Sequence, residues 1–332
     1  MTSALLLPAS FAVLLAGALL FTNAIEWFGS MVRLGQGAVG SLLAAVATAL
    51  PESLIPIVAI AGGQRGSDEV AVGAVIGAPL LLATIAMALV GLAAAIYRRR
   101  RPQALSLDVH FPTLQRDLAF FMGCFLAGLL LGLGAPRPLQ VLGAVALVAA
   151  YVAYVAWTLR HSGEIESEEE LRPLILDMTR SDPPTMATVL VQLAVALGAI
   201  VAGAHIFVEQ VLDVAESLEL EPLVLSLVLA PFATELPEKA NSFFWVRDGK
   251  DSLALGNITG AMVFQSTLPV AVGLAFTPWE LDTYSITAGC LALAGGLVAI
   301  LTLQIRRRFS GRAIALWAAL YAIFVIYVAA NT

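Results

Sequence analysis

Apolar runs of about 20 residues recur along this chain from end to end, the length an α-helix needs to cross a hydrocarbon core about 30 Å thick. With 59% hydrophobic and 13% charged residues, the runs have no polar face to turn toward water. The pattern predicts ten spans, at about 4–29, 35–63, 69–97, 116–134, 138–159, 186–212, 222–246, 251–276, 283–304 and 312–330. The expected fold is an all-α polytopic membrane protein. No Lys or Arg precedes Arg33, and the first apolar run exceeds the core of a cleaved signal, so it reads as a span.

Charge gives the orientation. With ten spans, the odd-numbered loops share one side and hold 15 of the 18 basic residues, among them Arg33, Arg98 to Arg101, Arg160, Arg247 and Arg306 to Arg308. The other side holds Arg65 and Arg137, and Lys239 falls inside a span. This positive-inside bias puts the Arg-rich loops in the cytoplasm and both termini outside. The default location is a prokaryotic plasma membrane, and no nucleic-acid partner is expected.

Residues 160–185 form the longest polar stretch and carry Glu164, Glu166, Glu168, Glu169 and Glu170. They separate a first five-span unit, residues 1–159, from a second, residues 186–332. An odd number of spans per unit forces the two into opposite orientations, as inverted repeats. The acidic linker reads as a solvated segment, with attraction of a regulatory cation as the alternative.

The two units repeat one motif. Ala47-Thr48-Ala49-Leu50-Pro51-Glu52 lies in the second span and Ala233-Thr234-Glu235-Leu236-Pro237-Glu238 in the seventh. A carboxylate at bilayer depth costs about 2.5–3.5 kcal/mol on insertion scales, so two at matching places point to an ion site. Proline has no N–H, so Pro51 frees the carbonyl of Ala47 and Pro237 that of Ala233. Thr48 and Glu52 share a helix face, as do Thr234 and Glu238. Two carboxylates, freed carbonyls and threonine hydroxyls are hard oxygen donors. They suit Ca²⁺, with Mg²⁺ or Mn²⁺ as alternatives. The metal is cargo, and no resident cofactor is expected.

Glu235 and Lys239, four apart with the acid first, are spaced for a helical ion pair. Three roles are open to them: simple mutual neutralisation, a built-in cation at the site, or Glu235 as a further ligand. In the spans after the motif, Ala71-Val72-Gly73-Ala74-Val75-Ile76-Gly77-Ala78 parallels Ala254-Leu255-Gly256-Asn257-Ile258-Thr259-Gly260-Ala261. Small residues four apart let helix backbones approach closely.

With these motifs the chain resembles the Ca²⁺/cation antiporter superfamily, which includes the sodium/calcium exchangers. The resemblance covers both units and implies two inverted five-helix repeats and secondary active exchange of a divalent cation by alternating access. It implies metal-ligand roles for Glu52, Glu238, Thr48 and Thr234, and gating roles for the first and sixth spans, which carry Glu26, His205 and Glu209. In sodium-coupled members, a serine and a polar residue four beyond it add oxygens. Here those positions are Ala78 and Leu82, and Ala261 and Gln265. Gln265 alone keeps a polar side chain and is a further candidate ligand. The missing oxygens favour H⁺ over Na⁺ as counter-ion.

Other classes are an intramembrane enzyme, for which no His-Glu-x-x-His, Gly-x-Ser-x-Gly or phosphate loop is present, and a transport-inactive sensor or scaffold. Cys124 and Cys290 are expected to pack within spans, and Trp27, Trp245 and Trp279 to sit in an interfacial belt.

Overall fold

The computed structural model describes residues 3–32, 52–100, 105–107, 109, 111–161, 171–177, 183–305 and 307–332. Its helices are α1 (Ser3–Met31), α2 (Glu52–Gly62), α3 (Ser67–Leu81), α4 (Met87–Ile96), α5 (Phe111–Leu131), α6 (Arg137–His161), α7 (Met186–Leu218), α8 (Pro222–Arg247), α9 (Asp251–Gln265), α10 (Leu268–Phe276), α11 (Thr283–Ala299) and α12 (Gly311–Asn331). Among the described residues, the only bridge pairing is an isolated antiparallel one between Ser106 and Arg308.

Among the described residues, twelve helices make ten spans, because two spans are interrupted midway. A π-helical turn, Leu82–Ala86, joins α3 to α4. The turn Ser266–Thr267 separates α9 from α10, just ahead of Pro269, which has no N–H to continue the ladder. Hydroxyls cover the carbonyls this exposes. Ser266 Oγ donates to Val263 O at 2.9 Å, and Thr267 Oγ1 donates to Val263 O at 2.9 Å and Phe264 O at 3.0 Å. Such recapture is what lets a broken helix persist in lipid. Helix starts follow local chemistry: Thr185, Asp282 and Ser310 cap α7, α11 and α12 with side-chain oxygens, and Pro222 opens α8.

The packing carries an internal two-fold. The most extensive helix pair is α1 with α7, and its contacts are reciprocal. A Cβ on Gly17 would lie 2.8 Å from Ile200 Cγ1, and one on Gly203 would lie 3.0 Å from Leu14 Cγ. Gly203 stands 186 residues after Gly17, Ile200 stands 186 after Leu14, and Glu238 stands 186 after Glu52. One patch meeting its own repeat is the signature of a two-fold interface. Other pairs also come in mates: α11 on α3 with α5 on α9, and α12 on α4 with α6 on α10. This is the inverted five-plus-five architecture.

The loops sort into two sets, as expected for ten spans. On one side, Leu107 N donates to Arg307 O at 3.2 Å, joining the third and ninth loops. On the other, Leu281 N donates to Gly132 O at 3.1 Å, joining the fourth and eighth. Arg137 also reaches the eighth loop, donating to Leu274 O at 2.7 Å and Thr277 O at 2.8 Å. It thereby serves the orphan carbonyls at the end of α10.

Two expectations are corrected. Trp279 is fully buried, not interfacial. Its Nε1 donates to Gly128 O at 3.0 Å, and its ring covers Gly273 so closely that a Cβ there would lie 2.2 Å from it. Trp27 is half-buried and donates to Arg172 O at 2.9 Å, and Trp245 is half-buried against the core. Cys124 is half-buried within α5, but Cys290 is exposed on α11 rather than packed.

A short part of the linker is tied to α1 and α7. Ile175 N donates to Asn23 Oδ1 at 3.0 Å, and Leu176 N donates to Gln192 Oε1 at 2.8 Å. Gln192 Nε2 donates to Asn23 Oδ1 and to Leu20 O, each at 2.9 Å. Leu174 packs with Ala24 and Val189. The glutamates 164–170 lie outside the described residues.

Candidate cation site

The seventh span positions one half of the motif. α8 is helical through Ala233, Thr234, Glu235 and Lys239, all of them buried. Thr234 Oγ1 donates back to Ala230 O at 3.1 Å, which turns its oxygen lone pairs away from its own proton. Pro237 leaves the Ala233 carbonyl without a helical N–H. Thr48 and Ala47 lie outside the described residues, as does the side chain of Glu238.

Glu52 is the first described residue of α2 and is buried, at 7% exposure. Its neighbours Ser53 and Pro56 line a cavity of about 830 Å³ that Phe264 and Leu268 also line. This part of α2 therefore shares a cavity with the broken span, next to the place where Gln265 ends α9. The cavity walls are otherwise almost wholly apolar, from α6 and α10.

Glu235, Lys239 and Gln265 come together. Lys239 Nζ lies 3.3 Å from Glu235 Oε2, the pairing the four-residue spacing predicts. Gln265 Nε2 donates to Glu235 Oε1 at 2.9 Å. All three are at most 2% exposed. Each Glu235 oxygen thus has a partner. An ammonium so deep in the membrane is tolerable only beside its counter-charge.

Sequence reasoning missed a further buried acid. Asp117, 4% exposed in α5, accepts from Thr259 Oγ1 at 2.9 Å, from Tyr154 OH and from Arg116 at 3.1 Å. The Arg116 guanidinium lies 4.9 Å above the Tyr154 ring and 4.8 Å above that of Trp157. The available signal was an acid just inside the edge of a span. The network anchors α9 to α5 and α6. Asn257 Nδ2 ties α9 to α8 by donating to Ser242 Oγ at 3.3 Å. Together these bonds hold Gln265 in register with Glu235.

Among the described residues no three His, Cys, Asp or Glu side chains converge on one point. His205 Nε2 lies 3.3 Å from Glu209 Oε1 at the half-exposed surface of α7, and Glu26 is exposed on α1.

Comparison with known proteins agrees with this architecture. Inner membrane protein YrbG of Escherichia coli (strain K12) is 24% identical over 266 residues, 79% of this chain and 77% of that protein. CaxA of Alkalimonas amylolytica is 26% identical over 136 residues, 40% of this chain and 43% of the relative's length. The crystal structure of the H⁺/Ca²⁺ exchanger CAX superposes with a TM-score of 0.71 at 21% identity, covering 98% of this chain and 81% of that one. The family model described as "Sodium/calcium exchanger protein" matches residues 2–160 and 188–331, which is nearly the whole sequence. With five spans in each matched stretch, the motif repeated at a constant offset and the fold shared, the chain belongs to the sodium/calcium exchanger protein family.

Proposed function

We propose that this protein is a secondary active antiporter that exchanges a divalent cation, Ca²⁺ before Mg²⁺ or Mn²⁺, for H⁺ by alternating access. The observation that carries the reading is Glu52. It is a carboxylate buried in the second span, beside a cavity that reaches the broken span. Its repeat partner is Glu238, and the two are the central ligands. Thr48, Thr234 and the carbonyls of Ala47 and Ala233 complete an oxygen set suited to Ca²⁺. The CAX structure is that of an H⁺/Ca²⁺ exchanger, and the family description supports cation exchange at large.

For the counter-ion, Ala78 and Leu82 are buried apolar side chains where a sodium site would need oxygens. A carboxylate that releases its metal into one aqueous phase takes a proton rather than remain a bare charge in the bilayer. By the positive-inside bias the Arg-rich loops face the cytoplasm of a prokaryotic cell and both termini lie outside.

The test is flux into proteoliposomes under imposed pH or Na⁺ gradients, with Ca²⁺, Mg²⁺ and Mn²⁺ compared. Ca²⁺ uptake driven by the pH gradient is the expected result. Glu52→Gln is expected to lower uptake at least about 100-fold, because ligand charge sets divalent affinity over decades. Uptake that follows only the Na⁺ gradient overturns the choice of H⁺. Ca²⁺ binding without flux under any gradient overturns transport in favour of an ion sensor.

A further inference from the structure

The two repeats are unequal where it matters electrically. Moving back 186 residues from Glu235, Glu238 and Lys239 leads to Ala49, Glu52 and Ser53. Gln265 stands where the motif of the other repeat has Leu82. An acid, a base and an amide donor are therefore present together in one repeat and missing together from the other. In the structure they form one buried cluster, with Lys239 3.3 Å from one Glu235 oxygen and Gln265 2.9 Å from the other. Gln265 is itself held through the ties of α9 to α8 and α5.

We propose that Lys239 is a covalently attached monovalent cation that fixes the charge count of the site. The ligand reading given above is the premise. Glu52, Glu238 and Glu235 contribute three negative charges and Lys239 one positive, leaving two. One divalent cation completes neutrality, with no monovalent ion bound beside it. Without the ammonium, three carboxylates in a low-dielectric span would need a divalent and a monovalent cation together. Gln265 is the positioning residue. Its amide holds the Glu235 carboxylate toward Lys239, so Glu235 serves the ammonium and not the transported ion.

The test is isothermal titration and vesicle flux at fixed pH on purified full-length protein, with Ca²⁺ as the divalent probe and Na⁺ added or omitted. Lys239→Met should make Ca²⁺ uptake depend on Na⁺, by about tenfold or more, as expected when a buried carboxylate loses its partner. Glu235→Gln leaves the ammonium unopposed and should weaken Ca²⁺ binding by about tenfold or more without any help from Na⁺. Glu235→Gln with Lys239→Met restores the count of two and should return Ca²⁺ affinity toward the native value, free of Na⁺. If Lys239→Met does not fold, the comparison of Glu235→Gln with the double variant still decides. Single variants that weaken Ca²⁺ binding alike, insensitive to Na⁺ and not rescued in the double, overturn the proposal. Glu52→Gln separates the premise. If it transports Ca²⁺ like the native protein, the ligand reading itself fails. If it is inactive while Lys239→Met is indifferent to Na⁺, only the role of Lys239 fails.

Discussion

The glycine pairs of the two repeats share a spacing and differ in their surroundings. In the first, α3 is pressed onto α8. A Cβ on Gly73 would lie 2.5 Å from Leu223 O, and one on Gly77 would lie 2.2 Å from Leu227 O. Pro231 removes the N–H that would otherwise occupy the Leu227 carbonyl, so Gly77 meets an oxygen freed for close approach. In the second repeat, Gly256 and Gly260 meet nothing within 4 Å among the described residues, and the stretch that the repeat relation sets against them, residues 37–41, lies outside those residues. The cavity of about 830 Å³ lies beside that span, between α2, α6 and the junction of α9 and α10. Two inverted repeats in identical arrangements would leave a midplane site equally open or closed to both sides. A difference in packing between the two pairs would give the molecule a side.

The sharpest way to break this comparison is to add one methyl group to each repeat. Gly77→Ala forces a Cβ into a backbone carbonyl and should destabilise the protein by about 1–3 kcal/mol, the range for overpacking. Gly260→Ala meets nothing among the described residues and should change thermal stability by less than about 0.5 kcal/mol, yet slow exchange if that face must close during the cycle. Thermal unfolding in detergent alongside vesicle flux reads both. Equal destabilisation by the two substitutions would mean the glycines are equivalent and the asymmetry is not a property of the folded protein.

An effect of similar size is expected from Asp117→Ala. It strands Thr259 and Arg116 and should cost about 1–3 kcal/mol, as for a buried polar partner removed. Because α9 also carries Gln265, which holds Glu235 toward Lys239, Ca²⁺ affinity should fall with it. Loss of stability with an unchanged ion response would confine Asp117 to scaffolding. The smallest effect belongs to Asn23→Ala. It removes bonds to Ile175 and Gln192 and should lower stability by about 1 kcal/mol. Faster proteolysis within residues 171–177 is the readout. An unchanged cleavage rate would show that the linker is held without Asn23.

Much of the fold was legible because span length is a strong signal. The expected 186–212, 222–246 and 283–304 became Met186–Leu218, Pro222–Arg247 and Thr283–Ile305 with its π turn. The breaks inside the third and eighth spans were less legible, since hydroxyls such as Thr84 and Thr267 rejoin them without lowering hydropathy. Trp279 was misplaced because an indole near a span end looks the same whether it faces headgroups or fills the gap left by Gly273 and Gly128. In the site, the pairing of Glu235 with Lys239 follows from helix periodicity. That Gln265 completes it does not, because that bond joins two helices and depends on how α9 is anchored. The close approach of Gly73 and Gly77 to α8 was invisible for a similar reason: the spacing of small residues is the same in both repeats and does not name the neighbour.

The ties between α1, α7 and the linker also have a consequence in time. The chief partner of α1 is α7, and Asn23 bonds to Gln192, 169 residues further along the chain. At about 5–20 residues synthesised per second, roughly 10–30 s separate the two. During that interval the first span stands in the membrane without its mate. Its small-residue face, at Gly17, is open to lipid, and Asn23 and Trp27 still lack the groups they bond in the finished molecule. The last act in assembling the first repeat therefore waits for the start of the second, so the two halves are completed together rather than in sequence.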